Sequence, residues 1–123
     1  MAINYRCILA YGLSDKELEK IEKRRIRLKN VTENDALMKI NDILIGSKSE
    51  DCYGELPNDE KVIVFNGYND KELRMTIKFI RSFIKGGVLA VVTEQSNKWT
   101  FKYLAEHLIE ERKMYESQEK GGN

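Results

Sequence analysis

Two glycine turns, Gly12-Leu13-Ser14 and Asn66-Gly67-Tyr68-Asn69, are the residues of this chain best suited to hold an anion, because each joins an apolar run to the start of a helix. A helix N-terminus presents unpaired backbone N–H groups and the positive end of the helix dipole, so two of them aimed at one crevice would attract a phosphate or carboxylate. Neither turn extends to G-x-G-x-x-G or a Walker sequence, and a lone glycine before a capped helix also serves plain turn geometry. A third candidate is Thr93-Glu94-Gln95-Ser96-Asn97-Lys98-Trp99-Thr100, which sets Thr93, Ser96 and Asn97 around the only tryptophan of the chain. Structurally it reads as a cap and staple, functionally as a recognition loop.

Other chemistry finds no support. His107 is the only histidine, and no serine, cysteine or carboxylate stands near it in a triad-like order, so no catalytic residue is assigned. Zinc needs three or four ligands, which Cys7 and Cys52 with one histidine do not supply. The chain is therefore expected to be a non-enzyme with no metal and no cofactor. The basic and acidic residues balance, 21 against 20, which argues against binding nucleic acid or anionic lipid over the whole surface. The local exception is Lys23-Arg24-Arg25-Ile26-Arg27-Leu28-Lys29; with Glu17, Glu19 and Glu22 just ahead, it reads as a solvated helix end whose cations suit the C-terminal dipole. No apolar run approaches the ~20 residues of a membrane span. No signal-peptide layout opens the chain, and two cysteines without a pairing pattern fit a reduced cytoplasm.

The elements that would position these loops are announced by an internal echo. Gly12-Leu13-Ser14-Asp15-Lys16-Glu17-Leu18 recurs as Gly67-Tyr68-Asn69-Asp70-Lys71-Glu72-Leu73, each after an apolar run. Ser14 with Glu17 and Asn69 with Glu72 are capping boxes, and the pairs Leu13–Leu18, Tyr68–Leu73, Val31–Ala36 and Trp99–Leu104 have staple spacing. Strands are predicted at 5–11, 26–31, 61–66 and 88–93, and helices at 15–25, 33–45, 70–85 and 101–116. Strand, helix, strand in each half calls for a parallel pair with a right-handed crossover.

The expected fold is thus α/β: two βαβα repeats, 3–45 and 61–112, in one domain spanning 1–116. They form one four-stranded, mainly parallel sheet of order 2-1-3-4 with helices on both faces. A two-fold axis along the strands would put the first and third helices on opposite faces, with a topological switch point between strands one and three. Polar residues 46–60, with the only proline, read as a mobile join, and residues 117–123 as a disordered tail.

From Val62 through Gly67 and Leu73 to Thr93, Trp99, Thr100, Leu104, Glu110 and Glu111, the chain resembles the uncharacterised bacterial family known as domain of unknown function 3783. Thr93, Trp99 and Thr100 match that family's motif, whereas Glu94 and Ser96 replace its proline and asparagine, and Leu89 stands where a lysine is frequent. The resemblance implies a bacterial cytoplasmic protein and supplies no activity. Two functions follow from the residues. The first is a non-catalytic protein-interaction or regulatory module, a homodimer through residues 88–92 or the helix after Trp99, because an apolar edge strand invites a partner. The alternative is a small-molecule or anion binder using the crevice between the repeats, with Gly12, Ser14, Asn66, Gly67, Asn69, Thr93, Ser96, Asn97 and Trp99 as its loop residues.

Overall fold

Alternation of apolar side chains splits the core into two layers either side of one sheet. The computed structural model describes residues 5–47 and 50–121. Its strands are β1 (Cys7–Tyr11), β2 (Leu28–Asn30), β3 (Val62–Asn66) and β4 (Val88–Val91); its helices are α1 (Asp15–Lys23), α2 (Ile40–Ile45), α3 (Asp70–Arg81) and α4 (Phe101–Gly121). Ile8, Ala10, Ile63 and Phe65 pack beneath Ile21 of α1 and Ile80 of α3. Cys7, Leu9, Val62 and Val64 pack on the opposite face against Ile40, Ile43 and Leu44 of α2 and Phe101, Leu104 and Ile109 of α4. Strands β1 and β3 are buried on both faces, as their continuous apolar runs require.

The sheet order is β2-β1-β3-β4, with β1∥β2 and β3∥β4, as expected. The centre differs. Strands β1 and β3 run antiparallel, Cys7 opposite Asn66, Leu9 opposite Val64 and Tyr11 opposite Val62, so the sheet is mixed rather than mainly parallel. An antiparallel centre excludes a two-fold axis along the strands. Consequently α1 and α3 share one face, and the expectation of opposite faces fails. The switch-point crevice fails with it, because β1 and β3 deliver their carboxyl ends to opposite edges of the sheet.

Three further differences concern single segments. The helix expected over 33–45 is broken: a 3-10 turn (Glu33–Asp35) capped by Thr32 is followed by extended Lys39, which bridges Thr100 before α2 begins. There the amide of Ile40 donates to Trp99 O at 2.8 Å and that of Phe101 to Met38 O at 2.9 Å, long-range bonds invisible to helical periodicity. The join is tethered from residue 52 onward. The Cys52 carbonyl accepts from Leu37, the Gly54 amide donates to Glu33 O, the Tyr11 hydroxyl donates to Pro57 O at 3.0 Å, and Leu56 is buried. Helix α4 continues to Gly121, into the stretch expected as a disordered tail, in a run free of proline. Residues 48–49 of the join and 122–123 of the tail lie outside the described residues.

Candidate functional site

Antiparallel pairing of β1 with β3 brings the start of β1 and the start of β2 to the edge where β3 and β4 finish. At that edge lies a cleft of about 510 Å³ lined by Tyr5, Arg6, Arg24, Arg25, Ile26, Arg27, Tyr68 and Thr76. Its size is in the range of small-molecule sites. The α1–β2 turn supplies three of its four guanidinium groups. Helix α1 ends at Lys23, and Arg25 then takes a left-handed backbone, φ 59°, so that the chain can reverse into β2.

Aromatic faces hold two of the arginines. The Arg24 guanidinium lies 4.1 Å from the centroid of Phe79, and that of Arg27 lies 4.9 Å from Tyr5. Such stacking is worth roughly 0.5–1 kcal/mol at exposed sites, and it leaves the planar N–H edges available. Tyr5 is itself fixed by donating its hydroxyl to the Leu44 carbonyl, and burial pushes its phenol pKa up. Arg6 pairs with Glu72, the N3 residue of α3. Tyr68 stands edge-on to Phe65, and its phenol is also raised by burial. Thr76 donates to the Glu72 carbonyl at 2.8 Å. No carboxylate lines the cleft, and among the described residues the Arg25 side chain has no ion pair or hydrogen bond.

The candidate loops separate accordingly. Gly12 (φ 83°) and Ser14 lie at the far edge of the sheet. A Cβ on Gly12 would overlap the Glu60 carbonyl oxygen, which explains the glycine without a ligand. Ser14 accepts from the Glu17 amide at 3.2 Å while Glu17 accepts from the Ser14 amide at 2.8 Å. Asn66, Gly67 (φ 80°) and Asn69 lie at the cleft edge. Asn69 caps α3 by accepting from the Glu72 amide at 2.8 Å, and Asn66 is buried with its amide donating to Tyr5 O at 2.9 Å. They scaffold the cleft wall that carries Tyr5 and Tyr68.

Thr93, Ser96, Asn97 and Trp99 follow β4 at the same end, on the α4 side. Thr93 and Ser96 close on each other: the Ser96 amide donates to Thr93 Oγ1 at 3.0 Å and the Thr93 amide to Ser96 Oγ at 2.9 Å. Ser96 and Asn97 are buried, so their polar groups shape the turn. Trp99 is half-buried against the core, with Tyr103 at 4.9 Å and His107 at 5.6 Å between ring centroids. Thr100 caps α4 by accepting from the Tyr103 amide at 3.1 Å. The cap is the one that the spacing predicts, and the ring contacts of the indole are with Tyr103 and His107. His107 meets Glu111 at 3.1 Å on the exposed side of α4.

Sequence reasoning missed Tyr5, Arg6, Tyr68 and Thr76, which only the tertiary fold gathers. It met Arg24, Arg25 and Arg27 as a solvated helix end. The available signal was the choice of cation. Within Lys23–Lys29, Lys23 pairs with Glu19 at 3.1 Å and Lys29 donates to Ile43 O at 2.8 Å, closing the end of α2, whereas all three arginines line the cleft. Among the described residues no group of three or more His, Cys, Asp or Glu is placed to hold a metal ion, and no helix is long and apolar enough to cross a membrane. No curated protein and no solved structure matches the chain. Residues 61–115, from the start of β3 through most of α4, match the family described as Domain of unknown function (DUF3783), as the Trp99 motif implies, and the cleft arginines all precede that segment.

Proposed function

We propose that the protein is a non-catalytic binding module that holds an anionic group between Arg6, Arg24, Arg25 and Arg27. The reading rests on the segregation of cations in the Lys23–Lys29 run. Lys23 pairs with Glu19 on the surface and Lys29 closes α2, whereas the arginines, whose planar forks match carboxylate and phosphate oxygens in pairs, face the open cleft, two of them braced on Phe79 and Tyr5. This moves the anion site from the crevice between glycine turns to the opposite edge of β1. A thermal-shift panel of phosphorylated, sulfonated and carboxylated compounds at constant ionic strength tests it. An anion at a hundred times its Kd raises stability by about 2.7 kcal/mol. The rise should vanish in Arg24→Ala/Arg27→Ala; a panel without a stabilising anion contradicts the function.

The residues meeting at the centre support an internal duplication of a βαβα unit. Leu9 and Val64, counterparts in the echo, pair with each other, as do Lys39 and Thr100. The ion pairs are reciprocal: Arg6 reaches Glu72, and Lys61 reaches Glu17 at 2.7 Å. Counterparts crossing over in this way fit a local two-fold axis normal to the sheet.

A second reading, a homodimer, is favoured by Val91, 43% exposed on the open edge of β4, and by Met114 and Tyr115 beyond the last core contact of α4. Light scattering of the wild type and Val91→Lys decides it, with a dimer and a monomer expected respectively. A cytoplasmic setting suits the buried thiol of Cys7.

A further inference from the structure

Resting on the anion-binding reading, we infer that the cleft takes a compact phosphate ligand of multiple charge, a diphosphate or a phosphomonoester, at a single site per chain. Charge matching is the first ground. Four guanidiniums line the cleft and no carboxylate does; Glu72 offsets only Arg6. A monocarboxylate would leave most of this charge uncompensated, whereas a phosphate group brings two charges and three oxygens to the forks.

The second ground is the backbone at Arg25. Leu28 pairs with Ile8 and Leu89 with Ile63, so Arg25 and Gly86 occupy corresponding places, each three residues ahead of its strand partner. Both adopt left-handed backbones, φ 59° and φ 75°. Gly86 meets that requirement without strain. A β-carbon there would have nothing within 4 Å, so space does not dictate glycine; backbone conformation does. Arginine at the same place bears strain for a side chain that the fold does not use, since among the described residues its guanidinium has no partner. Asp51 and Asp59 share this backbone, φ 59°, and of the three only Arg25 lines the cleft.

The third ground is asymmetry. The turn from α3 to β4 runs Lys85-Gly86-Gly87-Val88, with no arginine in the places of Arg24, Arg25 or Arg27, and the guanidinium that reaches it, Arg81, is committed to the Gly86 and Ile84 carbonyls at 2.6 and 3.4 Å. Lys61, the counterpart of Arg6, is committed to Glu17. The fold thus offers two corresponding edges and equips one.

Titration calorimetry of the full chain with inorganic pyrophosphate, with citrate as a carboxylate control at equal ionic strength, tests this. The expected result is one site per chain and pyrophosphate binding tighter than citrate by about tenfold or more. Arg25→Lys, which keeps charge but loses the fork, should weaken pyrophosphate by a similar factor, and Arg25→Gly should abolish the site while melting as the wild type does. Adenosine diphosphate run alongside separates the sources. Affinity equal to pyrophosphate assigns recognition to the diphosphate alone, tighter binding adds a nucleoside, and both uphold the class. Equal affinity for pyrophosphate and citrate, lost in Arg25→Gly, would overturn the phosphate class and keep the anion site. Two or more equivalent sites, or unchanged binding by Arg25→Gly, would overturn the single-site assignment. Binding of none of these anions would overturn the inference, whereas the function itself falls only with the wider panel.

Discussion

The turns that lead into β2 and β4 solve one backbone problem with opposite residues. Each must reverse the chain after a helix on the same face of the sheet, and each does so through a left-handed residue. At the α3–β4 turn the residue is Gly86, and Gly87 follows because a β-carbon there would sit 2.7 Å from the Lys61 carbonyl oxygen. At the α1–β2 turn it is Arg25, flanked by Arg24 and Arg27, which stack on Phe79 and Tyr5. One turn is optimised for geometry alone; the other keeps strain and crowds positive charge. Repulsion among the arginines is offset in part by stacking on Phe79 and Tyr5 and by the Arg6–Glu72 pair, and an anion in the cleft would relieve the rest.

Mutations on either side sharpen this contrast. The largest effect is expected at Gly87→Ala, where the methyl meets backbone and φ is 76°: a loss of about 3 kcal/mol in urea melts, since neither the carbonyl nor the turn can shift cheaply. Trp99→Ala follows. Half-buried rather than enclosed, Trp99 should cost about 2–3 kcal/mol, at or below the low end for core aromatics, and Thr100→Ala about 1 kcal/mol as a lost cap. An unshifted midpoint for Trp99→Ala would make it a binding residue, not a structural one.

A smaller, pH-dependent effect is expected at the Lys61–Glu17 ion pair. Burial alone would raise the Glu17 carboxyl, but hydrogen bonds from Lys61 and Ser14 outweigh it and hold its pKa below the ordinary value. A depressed carboxylate stabilises the fold above the unfolded-state pKa, and that contribution is lost as pH falls through the native one. With the two side chains 33% and 13% exposed, it should be about 1 kcal/mol or less, and Glu17→Gln should remove that part of the acid sensitivity. Melting curves from neutral to acid pH read it directly. The smallest effect is the most telling: Arg25→Gly should shift stability by no more than about 0.5 kcal/mol, because relief of left-handed strain offsets the extra freedom of an unfolded glycine.

Much of the architecture was legible in local residues. Capping boxes at Ser14 and Asn69 mark helix starts that the structure keeps, and βαβ connectivity forces the two outer pairs to be parallel. The direction of the central pair was not legible. Strands β1 and β3 are apolar on both faces, so their composition is the same whichever way they run. The antiparallel centre comes with long-range contacts, Lys39 with Thr100 and Arg6 with Glu72, that no window of sequence contains. The site was half legible for the same reason. Arg24, Arg25 and Arg27 stand together in the chain, but Tyr5, Arg6, Tyr68 and Thr76 join them only because the centre is antiparallel.

The central claim, one equipped edge out of two, is tested most directly by NMR titration of the labelled full chain with pyrophosphate. Backbone and guanidinium shifts should move at Arg6, Arg24, Arg25 and Arg27, with Tyr68 and Thr76 following, and the Lys61 and Lys85–Gly87 edge should stay silent. Equal movement at both edges, or movement spread over every exposed cation, would contradict it.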